Sequence, residues 1–249
     1  MAGKIIVITG ANGGLGSTLA QRLADDGEKL VLLGRTLSKV EKIAEKIGHG
    51  AIAIACDVTS PDSVRAAFAK IAQTYPKIDV LINNAAIFQP FLVHEASDAQ
   101  IMGSVLTNLA GPILCTRSAI PMINKGGHII NLSSESIVEP FAHLSLYQSS
   151  KAGLETFSLH LKRELEDLGT GIRVTIVRAG QMYGPDSTIE MDPVAAKRFH
   201  EACVKRGMNF AARGITLYSS TVEIFRMLLD LPQDIQVGTL MFESRVPTQ

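Results

Sequence analysis

The sequence predicts an α/β protein: a doubly wound, parallel sheet in a single domain spanning residues 1–249. Short apolar runs alternate with helix-length amphipathic segments. Most of the runs are apolar throughout rather than alternating, as strands covered on both faces must be. The first of them ends in a glycine-rich turn that leads straight into a helix. Repeated β–α units of this kind close a parallel sheet through right-handed crossovers.

The predicted strands are Lys4–Thr9, Leu30–Leu33, Ala51–Cys56, Val80–Asn83, His128–Leu132, Arg173–Val177 and Gly238–Phe242. The helices between them are Leu15–Asp26, Ser38–Ile47, Pro61–Thr74, Asp98–Met122, Tyr147–Leu168 and Thr221–Leu231. Ser60-Pro61 reads as an N-cap followed by proline at the first helical position. The alternation breaks between Gly184 and Gly214, where Pro185, Pro193 and a weak helix over Val194–Lys205 make an excursion too long for an ordinary connection. Its place after a strand's carboxyl end predicts a substrate lid, centred on Met191–Phe210.

Composition narrows the function. With 46% apolar residues in 249, the chain can bury a large core. The net charge of zero lacks the basic surplus of a nucleic-acid binder. Three cysteines, Cys56, Cys115 and Cys203, form no CxxC pair and read as buried hydrophobes in a reducing compartment. Six scattered histidines show no metal-ligand spacing. Ile5-Ile6-Val7-Ile8 is far too short for a membrane span. The expectation is a cytoplasmic protein acting on a small molecule, without metal, membrane or nucleic acid.

The turn Thr9-Gly10-Ala11-Asn12-Gly13-Gly14-Leu15-Gly16 lets backbone approach a pyrophosphate, and the following helix N-terminus offers unpaired N–H groups. The second strand ends at Gly34-Arg35, and no carboxylate lies between Leu30 and Ser38. A dinucleotide site for NAD places an acid there for the ribose 2′-hydroxyl. Arg35 instead suits a 2′-phosphate, so the sequence predicts NADP(H) over NAD(H).

Tyr147 and Lys151 open a long helix four residues apart, on one face. A phenol has a pKa of about 10. A neighbouring ammonium lowers it and makes the tyrosine a usable acid/base. Ser133-Ser134 follows the strand His128–Leu132, at the carboxyl edge where doubly wound sheets carry their sites. A hydroxyl there can steady an oxygen that gains negative charge. Asn108 is a polar residue inside an apolar helical stretch, read as a satisfied polar group, a helix kink or part of the site.

In this order and spacing the residues resemble the short-chain dehydrogenase/reductase family, in its short-subunit branch. The resemblance runs from about Lys4 to Gly180 and includes the glycine turn, Asp57, Asn83-Asn84-Ala85, Asn108, Ser134 and Tyr147-x-x-x-Lys151. It implies a seven-stranded parallel Rossmann-type sheet, bound NAD(P) and a homodimer or homotetramer, the tetrameric members pairing the helices that here span Asp98–Met122 and Tyr147–Leu168. It implies Tyr147 as general acid/base and Lys151 as the group that lowers its pKa and holds the nicotinamide ribose. Ser134 would polarise the substrate oxygen, and Asn108 would support a water relay. Gly10, Asn12, Gly14, Leu15, Gly16, Arg35, Asp57, Val58, Asn84, Ala85, Gly180 and Met182 would line the cofactor, with Asp57 against adenine. Ser134, His143, Tyr147 and Tyr183 would meet substrate, with Phe88, Ser136 and Leu144 nearby.

The sequence departs from the family in three places. Ala86 replaces a frequent glycine. Ala179-Gly180 replaces Pro-Gly, and Gly184 stands where a threonine holds the nicotinamide carboxamide, leaving Ser187 or Thr188 as substitutes. The last strand runs into Glu243-Ser244-Arg245 instead of Gly-Gly. The expected activity is ketone/aldehyde–alcohol interconversion on an uncharged, hydrophobic substrate, favouring reduction. The altered Ala179–Gly184 segment motivates an alternative, a non-catalytic NADP(H) sensor or scaffold. An epimerase or dehydratase would need a larger C-terminal region than follows Gly180.

Overall fold

The computed structural model describes residues 3–184, 187 and 191–245. Seven strands form one parallel sheet: β1 (Ile5–Thr9), β2 (Lys29–Gly34), β3 (Ile52–Ala55), β4 (Ile78–Asn83), β5 (Ile123–Ser134), β6 (Arg173–Ala179) and, after two short strands, β9 (Thr239–Phe242). Their order is β3-β2-β1-β4-β5-β6-β9. The chain therefore reverses direction across the sheet between β1 and β4, and a crevice opens at their carboxyl ends.

Helices cover both faces. On one side lie α1 (Gly14–Asp25), α2 (Leu37–Ile47) and α9 (Tyr218–Asp230), where Leu19, Leu23, Val40 and Phe225 pack with Ile6 and Ile8. On the other lie α3 (Pro61–Thr74), α5 (Gly111–Ala119) and α6 (Ser145–Asp167), where Phe68, Ile71, Leu161 and Leu165 pack with Val7 and Leu33. Successive strand residues thus enter opposite cores, which is why these strands read as unbroken apolar runs. Ser60 caps α3 by accepting from the Ser63 N–H, with Pro61 in the first turn.

Several boundaries differ from expectation. β5 starts at Ile123, five residues early, because Ile123 pairs with Ile78 ahead of a register shift in β4. The segment expected as one helix over Asp98–Met122 is α4 (Asp98–Val105), a π-helical turn Leu106–Ala110, α5 and a 3₁₀ turn Ile120–Met122. Asn108 lies in the π turn, a local widening that often marks a functional position. α6 begins at Ser145, which puts Tyr147 in its first turn.

The excursion between Gly184 and Gly214 is tied at its base by a two-stranded ribbon that periodicity could not reveal, β7 (Met182–Tyr183) with β8 (Thr216–Leu217). It carries α7 (Pro193–Lys205), capped by the Asp192 carboxylate, and the short α8 (Phe210–Arg213). Among the described residues no helix is long and apolar enough to cross a membrane, and no three His, Cys, Asp or Glu side chains gather as a metal site.

Candidate active site

Ser134 is the last residue of β5, and α6 returns over the same edge of the sheet. The Ser134 Oγ accepts from the Ser136 N–H at 3.2 Å, leaving its own proton for another acceptor. Its hydroxyl lies close enough to the phenol of Tyr147 to favour the ionised form, but burial outweighs it and holds the phenol up at about 12. One turn on, Lys151 is 2% exposed and donates from Nζ to the Leu132 carbonyl at 2.6 Å. Burial drives its ammonium down to about 8, against a smaller opposing pull from Glu155. Glu155 is itself clamped by Arg178 at 2.7–3.0 Å. Burial therefore sets the balance at both groups. The amine is engaged with a carbonyl, and desolvation dominates both groups in opposite directions.

Asn108 is fully buried and joins three elements. Its Oδ1 accepts from the Ile87 N–H at 2.8 Å, and its Nδ2 donates to the Ile87 carbonyl at 2.9 Å and to Ser150 Oγ at 3.3 Å. It thus ties the loop after β4 to α6 next to the tyrosine. A side chain serving both backbone groups of one residue explains why polarity persists in this apolar stretch.

The turn after β1 fits a dinucleotide phosphate. α1 starts behind Gly13 with no side-chain cap and no acidic residue in its first turn, so its leading N–H groups are available to an anion. A Cβ on Gly10 would come within 2.8 Å of the Ala85 Cα, and one on Gly16 within 2.4 Å of the Gly10 carbonyl. The β1 and β4 ends are locked together: Asn84 Nδ2 donates to the Thr9 and Gly10 carbonyls at 3.0 and 3.1 Å, and Thr9 Oγ1 accepts from the Asn84 and Ala85 N–H groups. Thr9 opens the glycine turn in the sequence, and its hydroxyl takes this bridging role. Gly14, Leu15 and Gly16 are buried in the start of α1, and Asn12 packs beside Gly34. Asp57 sends one carboxylate oxygen to Thr59, accepting from its N–H at 3.0 Å and its hydroxyl at 2.7 Å. Val58 is buried beneath Gly111. Arg35 is exposed just before α2, whose first turn also lacks an acid.

The family profile described as short chain dehydrogenase matches residues 4–192. The chain belongs to the short-chain dehydrogenase family. It is 31% identical over 241 residues to an NADP-dependent 3-hydroxy acid dehydrogenase of Salmonella typhimurium, covering 95% of this chain and 93% of the relative. It is 34% identical over 184 residues to a serine 3-dehydrogenase of Agrobacterium fabrum, covering 72% of each. A 3-ketoacyl-(acyl-carrier-protein) reductase from Brucella melitensis, solved with NADH, superposes with a TM-score of 0.80 at 26% identity over 97% of both chains. An alcohol dehydrogenase from Thermococcus sibiricus, solved with 5-hydroxy-NADP, shares the fold with a TM-score of 0.81 at 23% identity over 99% of both chains.

This short-chain dehydrogenase has its own arrangement after β6. Gly180 is buried, its N–H bonded to the Phe242 carbonyl at 2.9 Å. Met182 leans on the core, and Tyr183 is 57% exposed. At Gly184 a Cβ would stand 2.1 Å from Cδ2 of Tyr218, so the ring from α9 fills the space that a threonine side chain needs. The Tyr218 hydroxyl reaches Ser187 Oγ at 3.4 Å, whereas Thr188 lies outside the described residues. Gly184→Thr is expected to destabilise the fold by about 1–3 kcal/mol through overpacking. Tyr218→Ala in the same chain should recover part of that loss in urea denaturation, and additive losses would contradict the steric account. His143 holds a left-handed backbone at φ 58°, a strained position next to the tyrosine, and its carbonyl accepts from the Phe91 N–H. Leu144 and Ser136 are buried at 2% and 4% exposure, so they brace the site rather than line an open pocket.

Proposed function

We propose that this chain is an NADP(H)-dependent oxidoreductase that interconverts a ketone or aldehyde and an alcohol by hydride transfer, with Tyr147 as general acid/base. The observation that carries this reading is the placement of Ser134 against the phenol of Tyr147 at the carboxyl edge of the sheet, with Lys151 one helical turn away. The phenol is protonated at neutral pH, so it can donate the proton that reduction needs. Ser134 then bonds the same oxygen and steadies its charge while the proton moves. Lys151 supplies positive charge beneath the phenol, and Asn108 fixes α6 against the β4 loop, from which a water relay would reach the lysine.

Gly10, Asn12, Gly14, Leu15 and Gly16 would hold the pyrophosphate, Asp57 and Val58 the adenine, Asn84 and Ala85 the loop behind it, and Gly180 and Met182 the nicotinamide side. Once bound, the nicotinamide supplies or accepts the hydride. Residues 184–214 act as lid within the single domain, and His143 and Tyr183 meet substrate. The exposed Met102 on α4 and Leu159 on α6 favour a homodimer or homotetramer paired through those helices, in the cytoplasm.

NADP preference rests on Arg35 beside an acid-free helix start, and on relatives named for NADP. Arg35→Asp should raise the KM for NADPH by about 10²-fold, because charge-assisted bonds are replaced by like-charge repulsion. The KM for NADH should change far less, and an unchanged preference would reject the 2′-phosphate assignment. The whole reading is tested by NADPH and NADH consumption across a panel of ketones and aldehydes. Tight NADPH binding with no turnover of any compound would favour a non-catalytic NADP(H) sensor.

A further inference from the structure

Four aromatic rings run from the catalytic tyrosine to the excursion helix. Phe88, in the loop after β4, meets Tyr147 edge-on at 5.1 Å between centroids. Phe199, on α7, meets Phe88 edge-on at 6.1 Å and stacks on Phe141 at 6.4 Å. Phe88, Phe141, Tyr147 and Phe199 are all half-buried, so each keeps surface for a ligand. α7 is fixed in this position from a second side, where Arg198 grips Glu95 through two bonds of 2.7 and 3.0 Å.

Two arginines at this wall, Arg213 and Arg198, are already ion-paired. Arg213 lies over the Phe141 ring at 5.2 Å and is bound to Glu139 at 2.5 Å and Glu135 at 3.1 Å. Arg198 is the partner of Glu95. Beside the wall, a cavity of about 310 Å³ is bordered by Glu135, Glu139, Glu243 and Arg213, three carboxylates to one guanidinium, and its lining includes neither Ser134 nor Tyr147. A substrate carboxylate in this cavity meets three acids and a guanidinium already bound to two of them. Desolvating it without a partner is costly.

We propose that Phe199, acting with Phe88, is the specificity-determining side chain, and that it selects an uncharged carbonyl compound bearing a flat apolar group over the small hydroxy acids for which the relatives are named. The proposal deepens the oxidoreductase reading and rests on it for the identity of the reacting carbonyl. Aromatic rings offer edge and face contacts to a flat substituent next to the phenol, where the reacting oxygen must lie. The same rings offer nothing to a carboxylate.

Acetophenone, acetone, 3-hydroxypropionate and serine are the probes, each with NADPH or NADP⁺ as the direction requires. The wild type should show at least a tenfold higher kcat/KM for acetophenone than for either hydroxy acid. Phe199→Leu keeps an apolar contact for α7 and should lower kcat/KM for acetophenone at least tenfold more than for acetone. Phe88→Leu should do the same, with thermal melting confirming that both variants fold. Preference for a hydroxy acid, or equal losses on acetophenone and acetone, overturns the proposal. Saturation-transfer NMR on the acetophenone ring protons separates it from the reading beneath it. Transfer that Phe199→Leu abolishes, with no turnover of any carbonyl, removes the oxidoreductase reading and leaves the aromatic subsite standing. With neither transfer nor turnover, both fall.

Discussion

Replacing Tyr147 with phenylalanine is expected to lower turnover by about 10²–10⁴-fold, the usual contribution of a positioned acid/base. NADPH affinity should stay within about threefold of the wild type, since a ring of the same shape remains. The argument rests on how little else the substitution disturbs. The ring keeps its edge contact with Phe88, and only the polar approach to Ser134 is lost. Ser134 retains its bond from the Ser136 N–H, so its oxygen is not left without a partner. Removing a hydroxyl that burial has already pushed towards neutrality leaves no buried charge behind. Single-turnover measurements with saturating NADPH would test this, because they isolate the chemical step from product release. A variant that keeps more than a tenth of the wild-type rate would take the proton-transfer role away from Tyr147.

The sheet was legible because each strand enters two cores. Ile6 and Ile8 face one and Val7 the other, so the whole run is apolar and cannot be mistaken for an exposed strand. The glycine turn was legible for a steric reason as well, since a side chain at Gly10 or Gly16 would strike the Ala85 backbone or the Gly10 carbonyl. Helix starts were less so. α6 and α9 begin two and three residues earlier than expected, as the first turn of a helix is set by tertiary partners more than by propensity. Contacts between residues distant in sequence carried no signal. Nothing in the order of residues links Gly184 to Tyr218, Phe88 to Phe199, or Arg213 to Glu135. Each of these pairs depends on where the excursion after β6 folds back. Burial of the pair was not legible either, because four residues of separation fix a shared face but say nothing of how deeply it lies.

Lys151→Met gives the second large effect, and here catalysis and stability should move apart. A methionine keeps most of the stem and removes the charge beneath the phenol, so turnover should fall by about 10²-fold. The folded-state pKa of about 8 lies below the ordinary lysine value of 10.5. Carrying the charge in the fold below pH 8 therefore costs about 3 kcal/mol, at roughly 1.4 kcal/mol per decade of acidity. Between pH 8 and 10.5 the unfolded chain binds more protons than the native one, and wild-type stability rises with pH through that window. Tyr147 shifts the other way, from 10 to about 12, so its contribution is intact below pH 10 and is lost only above it. Urea melts at pH 7.5 and 9.5 thus read Lys151 with little interference. The methionine variant leaves the Leu132 carbonyl without its donor, at a cost of about 1–3 kcal/mol, which offsets much of the relief at pH 7.5. Its stability relative to the wild type should then decline by at least 1 kcal/mol on going to pH 9.5, because the wild type sheds its penalty and the variant has none to shed. In kinetics, wild-type carbonyl reduction should fall as pH rises through about 8, where the ammonium is lost, while the residual rate of the variant shows no such limb. If the difference in stability between the two proteins is the same at both pH values, the buried amine is not the strained group that its surroundings make it.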